Sequence, residues 1–157
     1  MQCLLGFNAG HSSFNFLTAR RDVVVHSFDV SNKRYVRQMA LYLQRKFPGR
    51  LKLTIGDSRK TVPHYFIARQ SLMPPTCDMI FVDGGHKHDA PLKDIVNFAR
   101  VASQPHNIIL VDDIHSDDVK TAWQSVINSG IVKQLLLLKC SYWSKSKAFA
   151  VGMVVQR

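Results

Sequence analysis

Apolar residues recur along this chain in short blocks of two kinds. Compact apolar runs at Cys3–Leu5, Val23–Phe28, Leu51–Ile55, Met79–Val82, Ile108–Val111, Val132–Leu138 and Phe149–Val155 read as strands. Stretches with helical spacing separate them: His11–Arg20, Asn32–Phe47, Val62–Gln70, Pro91–Val101, and a segment opened by Ser116 and ended by Gly130. The clearest is the second, where Tyr35, Val36, Met39, Ala40, Leu43 and Phe47 fall on one face and Pro48-Gly49 stops the helix. Ser116 reads as a capping residue followed by two carboxylates that favour a helix start. Met73 to Thr76 reads as a loop.

Strand–helix alternation with apolar strands predicts a mostly parallel sheet covered by helices on both faces. The last two strands, joined by the short polar link Tyr142–Lys147, are expected to pair antiparallel. The 157 residues suit one domain, 1–157. There is no internal repeat and no low-complexity linker.

Composition is that of an ordinary globular chain, 46% hydrophobic and 20% charged. No apolar run approaches the roughly 20 residues that cross a bilayer, so no membrane span is expected. The start lacks the basic and apolar stretches of a secretory signal. Cys3, Cys77 and Cys140 show neither metal spacing nor a disulfide framework, which makes a reducing, cytoplasmic setting the default.

Charge is uneven. The net value is +10, and residues 1–76 hold 12 Lys/Arg against 3 Asp. That half is either a solvated basic surface or one that meets RNA, an anionic membrane or an acidic substrate. All eleven acidic residues are Asp. Asp is a turn, cap and ligand residue more than a helix-surface one, so each position is informative.

In a sheet of this kind, ligands bind beyond the carboxyl ends of the strands. The five ends carry Gly6-Phe-Asn-Ala-Gly10, Asp29, Gly56-Asp57-Ser58, Asp83-Gly-Gly-His86 and Asp112-Asp113. Each is small or acidic. Gly6 to Gly10 would let backbone approach a ligand in front of a helix N-terminus. Asp29, 19 residues after Gly10, can accept the two hydroxyls of a ribose. Glycine loop plus acid reads as nucleoside binding, and the missing G-x-G-x-x-G argues against a dinucleotide.

These motifs, with Phe28-Asp29, Ile80-Phe-Val-Asp-Gly-Gly-His86 and Leu110-Val-Asp-Asp113, resemble in order and spacing those of class I S-adenosylmethionine-dependent methyltransferases. Within them the chain is similar to the small-molecule O-methyltransferases with a Phe-Val-Asp-Gly-Gly-His motif, such as the catechol, caffeoyl-coenzyme A and antibiotic-sugar enzymes. The resemblance implies a Rossmann-like, doubly wound α/β fold with a C-terminal antiparallel hairpin strand. It also implies roles. Gly6, Asn8 and Gly10 would lie against the methionine part and ribose of S-adenosylmethionine. Asp29 would bind the ribose hydroxyls, and Asp57 and Ser58 would lie beside the adenine. Asp83, Asp112 and Asp113 would hold Mg²⁺ or another divalent cation, with Asp83 and His86 in the catalytic positions and His86 as the base. His88 and His115 stand nearby as other imidazoles.

Two features depart from the family pattern. Leu4 stands where the family usually has an acidic residue, and the N-terminal helices that usually cover the active site are not found before the first strand. Three functions follow: metal-assisted O-methylation of a small hydroxylated molecule, a catalytically inactive binding or interaction module, and a methyltransferase with an RNA substrate. A homodimer is compatible with each. Asp78 reads as a turn residue, Cys77 as a buried small residue, and Trp123 and the Tyr35/Met39 stripe as core. Tyr142-Trp143 reads as a hairpin loop or a pocket cap.

Overall fold

The computed structural model describes residues 1–67, 76–142 and 145–155. Among the described residues, seven strands and five helices alternate as the apolar blocks predict. Contacts divide them into two compact units, Met1–Pro75 and Thr76–Arg157.

The first unit contains β1 (Gln2–Leu5), α1 (His11–Ala19), β2 (Val25–Asp29), α2 (Arg34–Lys46), β3 (Leu51–Ile55) and α3 (Ser58–Ile67). Its strands are parallel in the order β3-β2-β1, with Leu5 opposite Phe28 and Asp29 opposite Ile55. β2 is the middle strand and is buried along its whole length, as expected where both faces of a parallel sheet are covered. Phe28, Leu4, Leu17, Val36 and Leu43 form the core. Leu4, where the resemblance leads one to expect an acid, is one of these fully buried residues.

α2 follows the predicted periodicity only in part. Val36, Ala40 and Leu43 are buried, but Tyr35 is exposed, which corrects its reading as core. α3 begins at Ser58, four residues earlier than the apolar pattern places it, with Pro63 inside. The Asp57 carboxylate accepts the Arg59 N–H at 3.0 Å and the Asp57 carbonyl accepts from Thr61, so Asp57 starts the helix. The predicted end at Gln70 and most of the Met73–Thr76 loop lie outside the described residues, as does Trp143.

The second unit contains β4 (Met79–Val82), α4 (Ala90–Ala99), β5 (Ile108–Val111), α5 (Asp117–Asn128), β6 (Val132–Tyr142) and β7 (Lys145–Val154). Its strand order is β4-β5-β7-β6. β4 and β5 are parallel, whereas β7 runs antiparallel to both β5 and β6. The predicted hairpin is thus present, with its second strand in the interior position and β6 at the edge. The leucine run is not a core strand: Leu135, Leu136 and Leu137 are each about half exposed. A register shift between Gln134 and Leu136 breaks the β6 ladder there, a common feature of edge strands. Ser116 precedes α5 without a side-chain cap bond, and Asp117 and Asp118 occupy the first turn as expected. Cys3 and Cys77 are each fully buried and each disulfide-bonded, against the expectation of reduced thiols, so cysteine usage no longer argues for a reducing compartment. Among the described residues no helix is long and apolar enough to cross a membrane.

Trp123 packs α5 onto this sheet, and its indole N–H donates to Gln134 at 2.7 Å. Gly152 of β7 leaves the room for it. A Cβ there would come within 2.6 Å of Val132 Cγ1, 2.8 Å of the Trp123 ring and 3.0 Å of the Lys133 carbonyl. Gly152→Ala is therefore expected to destabilise the protein by about 3 kcal/mol, the upper part of the overpacking range. In a chain of this size that is a melting temperature lower by about 6–12 °C in a calorimetric scan.

Candidate functional site

The first unit places its candidate residues at the carboxyl ends of three parallel strands. After β1 the chain turns through Gly6, Asn8 and Gly10, all with positive φ (90°, 45° and 77°). Glycine adopts this conformation without penalty, and Asn tolerates it better than most residues. Gly10 then starts α1 with no side-chain cap bond, so the first-turn N–H groups of α1 are met by no capping side chain.

Asp29 closes this loop. It is the last residue of β2 and only 7% exposed. Its Oδ2 accepts the Asn8 N–H at 2.7 Å and its Oδ1 accepts the Ser31 N–H at 2.7 Å. Each oxygen keeps a second lone pair, which is what a diol would use. Asn8 is held from the other side by the Tyr35 hydroxyl, which donates to Asn8 Oδ1 at 2.9 Å. Asp57 sits after β3 beside Gly56. The Arg59 guanidinium grips both of its oxygens, at 2.9 Å to Oδ1 and 2.8 Å to Oδ2, and pulls its pKa down to about 2. Ser58 is the first residue of α3.

In the second unit the candidate residues follow β4 and β5. Asp83, His86 and Asp113 bring one ligand atom each to within 4.8 Å of one another. His86 Nε2 lies 3.1 Å from Asp113 Oδ2 and 3.9 Å from Asp83 Oδ1. Asp113 is the hub. Its side chain is 13% exposed, and Oδ1 also faces Lys147 Nζ at 3.3 Å and His115 Nδ1 at 3.8 Å. Positive φ at Asp113 (54°) turns the chain there, and the Asp113 N–H donates to Asp112 Oδ1 at 2.7 Å.

Burial, then the nearby charges of Asp112 and Asp113, pushes the Asp83 carboxyl above its ordinary range. Asp113 in turn raises the Lys147 ammonium. So the cluster carries more negative charge than it compensates. Alongside it, Ile114, His115, Lys120, Trp123, Gln134 and Leu137 border a cavity of about 400 Å³, within the range of small-molecule sites.

A family described as a methyltransferase domain matches residues 4–114, a span that includes every one of these strand-end residues. The chain belongs to this family. No curated protein sequence matches it. Solved structures share the fold of this methyltransferase domain at low identity. The O-methyltransferase TomG from Streptomyces achromogenes, involved in tomaymycin synthesis and solved with SAM, is 15% identical. The match covers 98% of this chain and 72% of that one, with a TM-score of 0.77. The O-methyltransferase from Bacillus cereus, solved with SAH, is 14% identical over 98% of this chain and 73% of that one (TM-score 0.76). The methyltransferase PaMTH1 from Podospora anserina, solved with SAH, is 14% identical over 98% and 71% (TM-score 0.74). These likenesses carry the expected Rossmann-like α/β fold, with parallel strands in each unit and an antiparallel pair at the end of the second.

Within the methyltransferase domain, the structure groups the sequence-derived candidates differently in one respect. The expected carboxylate set was Asp83, Asp112 and Asp113. The close group is Asp83, Asp113 and His86, while Asp112 uses an oxygen on the next backbone N–H. Sequence reasoning also missed Tyr35 and Lys147. Neither has a local signal, because their partners Asn8 and Asp113 lie 27 and 34 residues away. Arg59 was missed as well, although a local signal exists for it: an Arg two residues after an Asp at a strand end can fold back onto that carboxylate. His88 donates its backbone N–H to Asp118 and stands apart from the cluster.

Proposed function

We propose that this methyltransferase domain uses S-adenosylmethionine to methylate a hydroxyl of a small molecule, with the help of a divalent cation. The observation that carries the reading is the Asp83/His86/Asp113 group after β4 and β5, within a family-matched chain whose glycine loop is clamped by Asp29.

The donor set fits a divalent ion. Two carboxylates and an imidazole suit Mg²⁺ less well than Mn²⁺ or a later metal, because of the nitrogen, but accept either. The raised Asp83 marks charge that a cation would relieve. A cation there would favour the deprotonated form of an acceptor hydroxyl and fix its direction. Asp112, next to the group, would hold a bound water in this reading. S-adenosylmethionine supplies an electrophilic methyl group to that oxygen.

The chain's own residues do the rest. Asp29 accepts the ribose hydroxyls, and Gly6, Asn8 and Gly10 let the loop backbone lie close to the cofactor. Asp57 and Ser58 border the adenine. Asp57 reaches it only by sharing its oxygens with Arg59. Asp113, 3.1 Å from His86 Nε2, orients the ring for one of two exclusive roles: third ligand of the cation, or, with Nε2–H donating to Asp113, the base that takes the acceptor's proton at Nδ1. The cavity beside His115 and Trp123 would take the body of the acceptor, and its size supports a small molecule. A domain that binds cofactor without turnover is the second reading. Leu4, buried where the resemblance leads one to expect an acid, and Lys147, which already neutralises part of Asp113, favour it.

Calorimetric titration of the chain with S-adenosylmethionine, with and without MgCl₂ or MnCl₂, tests the proposal. Micromolar binding is expected, together with a separate cation heat that EDTA removes. Absence of cofactor binding by a folded chain would overturn the enzyme reading. Cofactor binding with no cation heat would remove the metal alone.

A further inference from the structure

Residues 30–56 contain seven Lys/Arg and no acidic residue. The structure sorts them. Arg50 is structural: its guanidinium donates to the carbonyls of Leu17, Arg20 and Val23 at 2.6–2.8 Å. The others concentrate on α2, where Val36, Ala40 and Leu43 face the core. At 100° per residue, Arg34, Gln38 and Arg45 lie on the opposite, outward face, flanked by Arg37, Leu41 and Tyr42.

Tyr42 is 52% exposed, and Lys46 Nζ stands 5.8 Å from its ring centroid. The ion pairs Arg20–Asp22 and Arg59–Asp57 of this unit leave α2 out, and among the described residues its positive face has no carboxylate partner. From Arg34 to Arg45 the stripe spans about 16 Å. That is enough to meet about three or four successive phosphates of one strand.

We propose that the outward face of α2 binds single-stranded nucleic acid, with Arg34 and Arg45 on backbone phosphates and Tyr42 as a stacking platform for a base. Cationic side chains that track a backbone, with aromatic rings between them, are the general means of holding a single strand. An anionic membrane fits this helix less well. An interfacial helix needs an apolar face free to enter the lipid, and here that face is spent on the core. Outside it only Leu41 offers an exposed aliphatic side chain on α2. The inference does not rest on the reaction proposed above, because none of these three residues is assigned to cofactor, cation or acceptor.

The test is fluorescence anisotropy with labelled 20-nucleotide oligo-U and oligo-dT over 50–300 mM KCl. Sedimentation with phosphatidylserine-containing vesicles runs in parallel. Binding is expected with a log–log salt slope of about −2 to −3, three or four phosphates at about 0.7 each. Arg34→Ala/Arg45→Ala should weaken binding at 50 mM KCl at least about tenfold and flatten the slope by about 1.4. Tyr42→Ala should weaken it about fivefold or more and leave the slope unchanged. All three side chains are exposed, and circular dichroism melts of the variants check that folding is retained. Equal loss for RNA and DNA fits recognition of backbone and base faces. No binding of either oligonucleotide at 50 mM KCl, affinities untouched by the variants, or sedimentation with vesicles in place of oligonucleotide binding would each overturn the proposal.

Discussion

Asp29→Ala is expected to weaken S-adenosylmethionine binding by about a hundredfold or more, the largest single effect on the cofactor. Two charge-assisted hydrogen bonds to a ribose diol are worth about 1.5–3 kcal/mol each, and about 1.4 kcal/mol is tenfold in affinity. The substitution also strips the acceptors from the Asn8 and Ser31 N–H groups, beside a side chain that is almost fully buried. It should therefore cost about 1–3 kcal/mol of stability as well. Asp29→Asn separates the two effects. It keeps the volume and one oxygen, but its amide N–H₂ must face one of the two backbone donors. Its affinity should fall between those of the wild type and the alanine variant. Calorimetric titration with thermal melts of all three proteins measures both quantities. Wild-type affinity in Asp29→Ala would reduce Asp29 to a loop clamp.

In the second unit, two substitutions should separate charge from coordination. Asp113→Ala is expected to abolish the cation response and to lower methyl transfer at least about a hundredfold, because Asp113 is both a candidate ligand and the group that orients His86. It removes the partner of Lys147 too, and stability should drop. Asp83→Asn should behave differently. The Asp83 pKa is raised on folding, so its ionised form opposes folding at neutral pH, where the unfolded chain ionises it freely. Without added cation, Asp83→Asn should be at least as stable as the wild type at pH 7.5. With MnCl₂ at about 100 times its Kd, the wild type should gain about 2.7 kcal/mol, or about 5–10 °C in melting temperature. Neither variant should gain it. Melting scans with EDTA and with MnCl₂ give the answer. Equal stabilisation of all three proteins would place the ion elsewhere.

The strand ends were legible in the sequence because they depend on order and local chemistry. A Gly or Asp that closes an apolar run marks where a parallel strand stops, and ligand-binding residues in such folds follow those stops. Asp29, Asp83 and Asp113 were found this way, and they are the groups that hold the loop and the cluster. The start of α3 was readable but misread, since the apolar pattern begins at Val62 while the Asp57 side chain starts the helix earlier. Periodicity also placed Tyr35 with the core, because a ring counts as apolar whichever way it points. Its hydroxyl instead reaches Asn8 in the glycine loop after β1.

The sequence by itself determined the alternation of elements, the basic half of the chain and the positions where chemistry can sit. Each depends on residues close together along the chain. Only the tertiary structure decided which groups meet. It added His86 to Asp83 and Asp113, kept Asp112 close enough for its charge to raise the Asp83 carboxyl, and brought Lys147 in from 34 residues away. It turned the leucines of β6 out at a sheet edge, and directed the apolar face of α2 inward so that its arginines face outward. Such pairings depend on strand order, turns and burial summed over the fold, which local spacing does not carry.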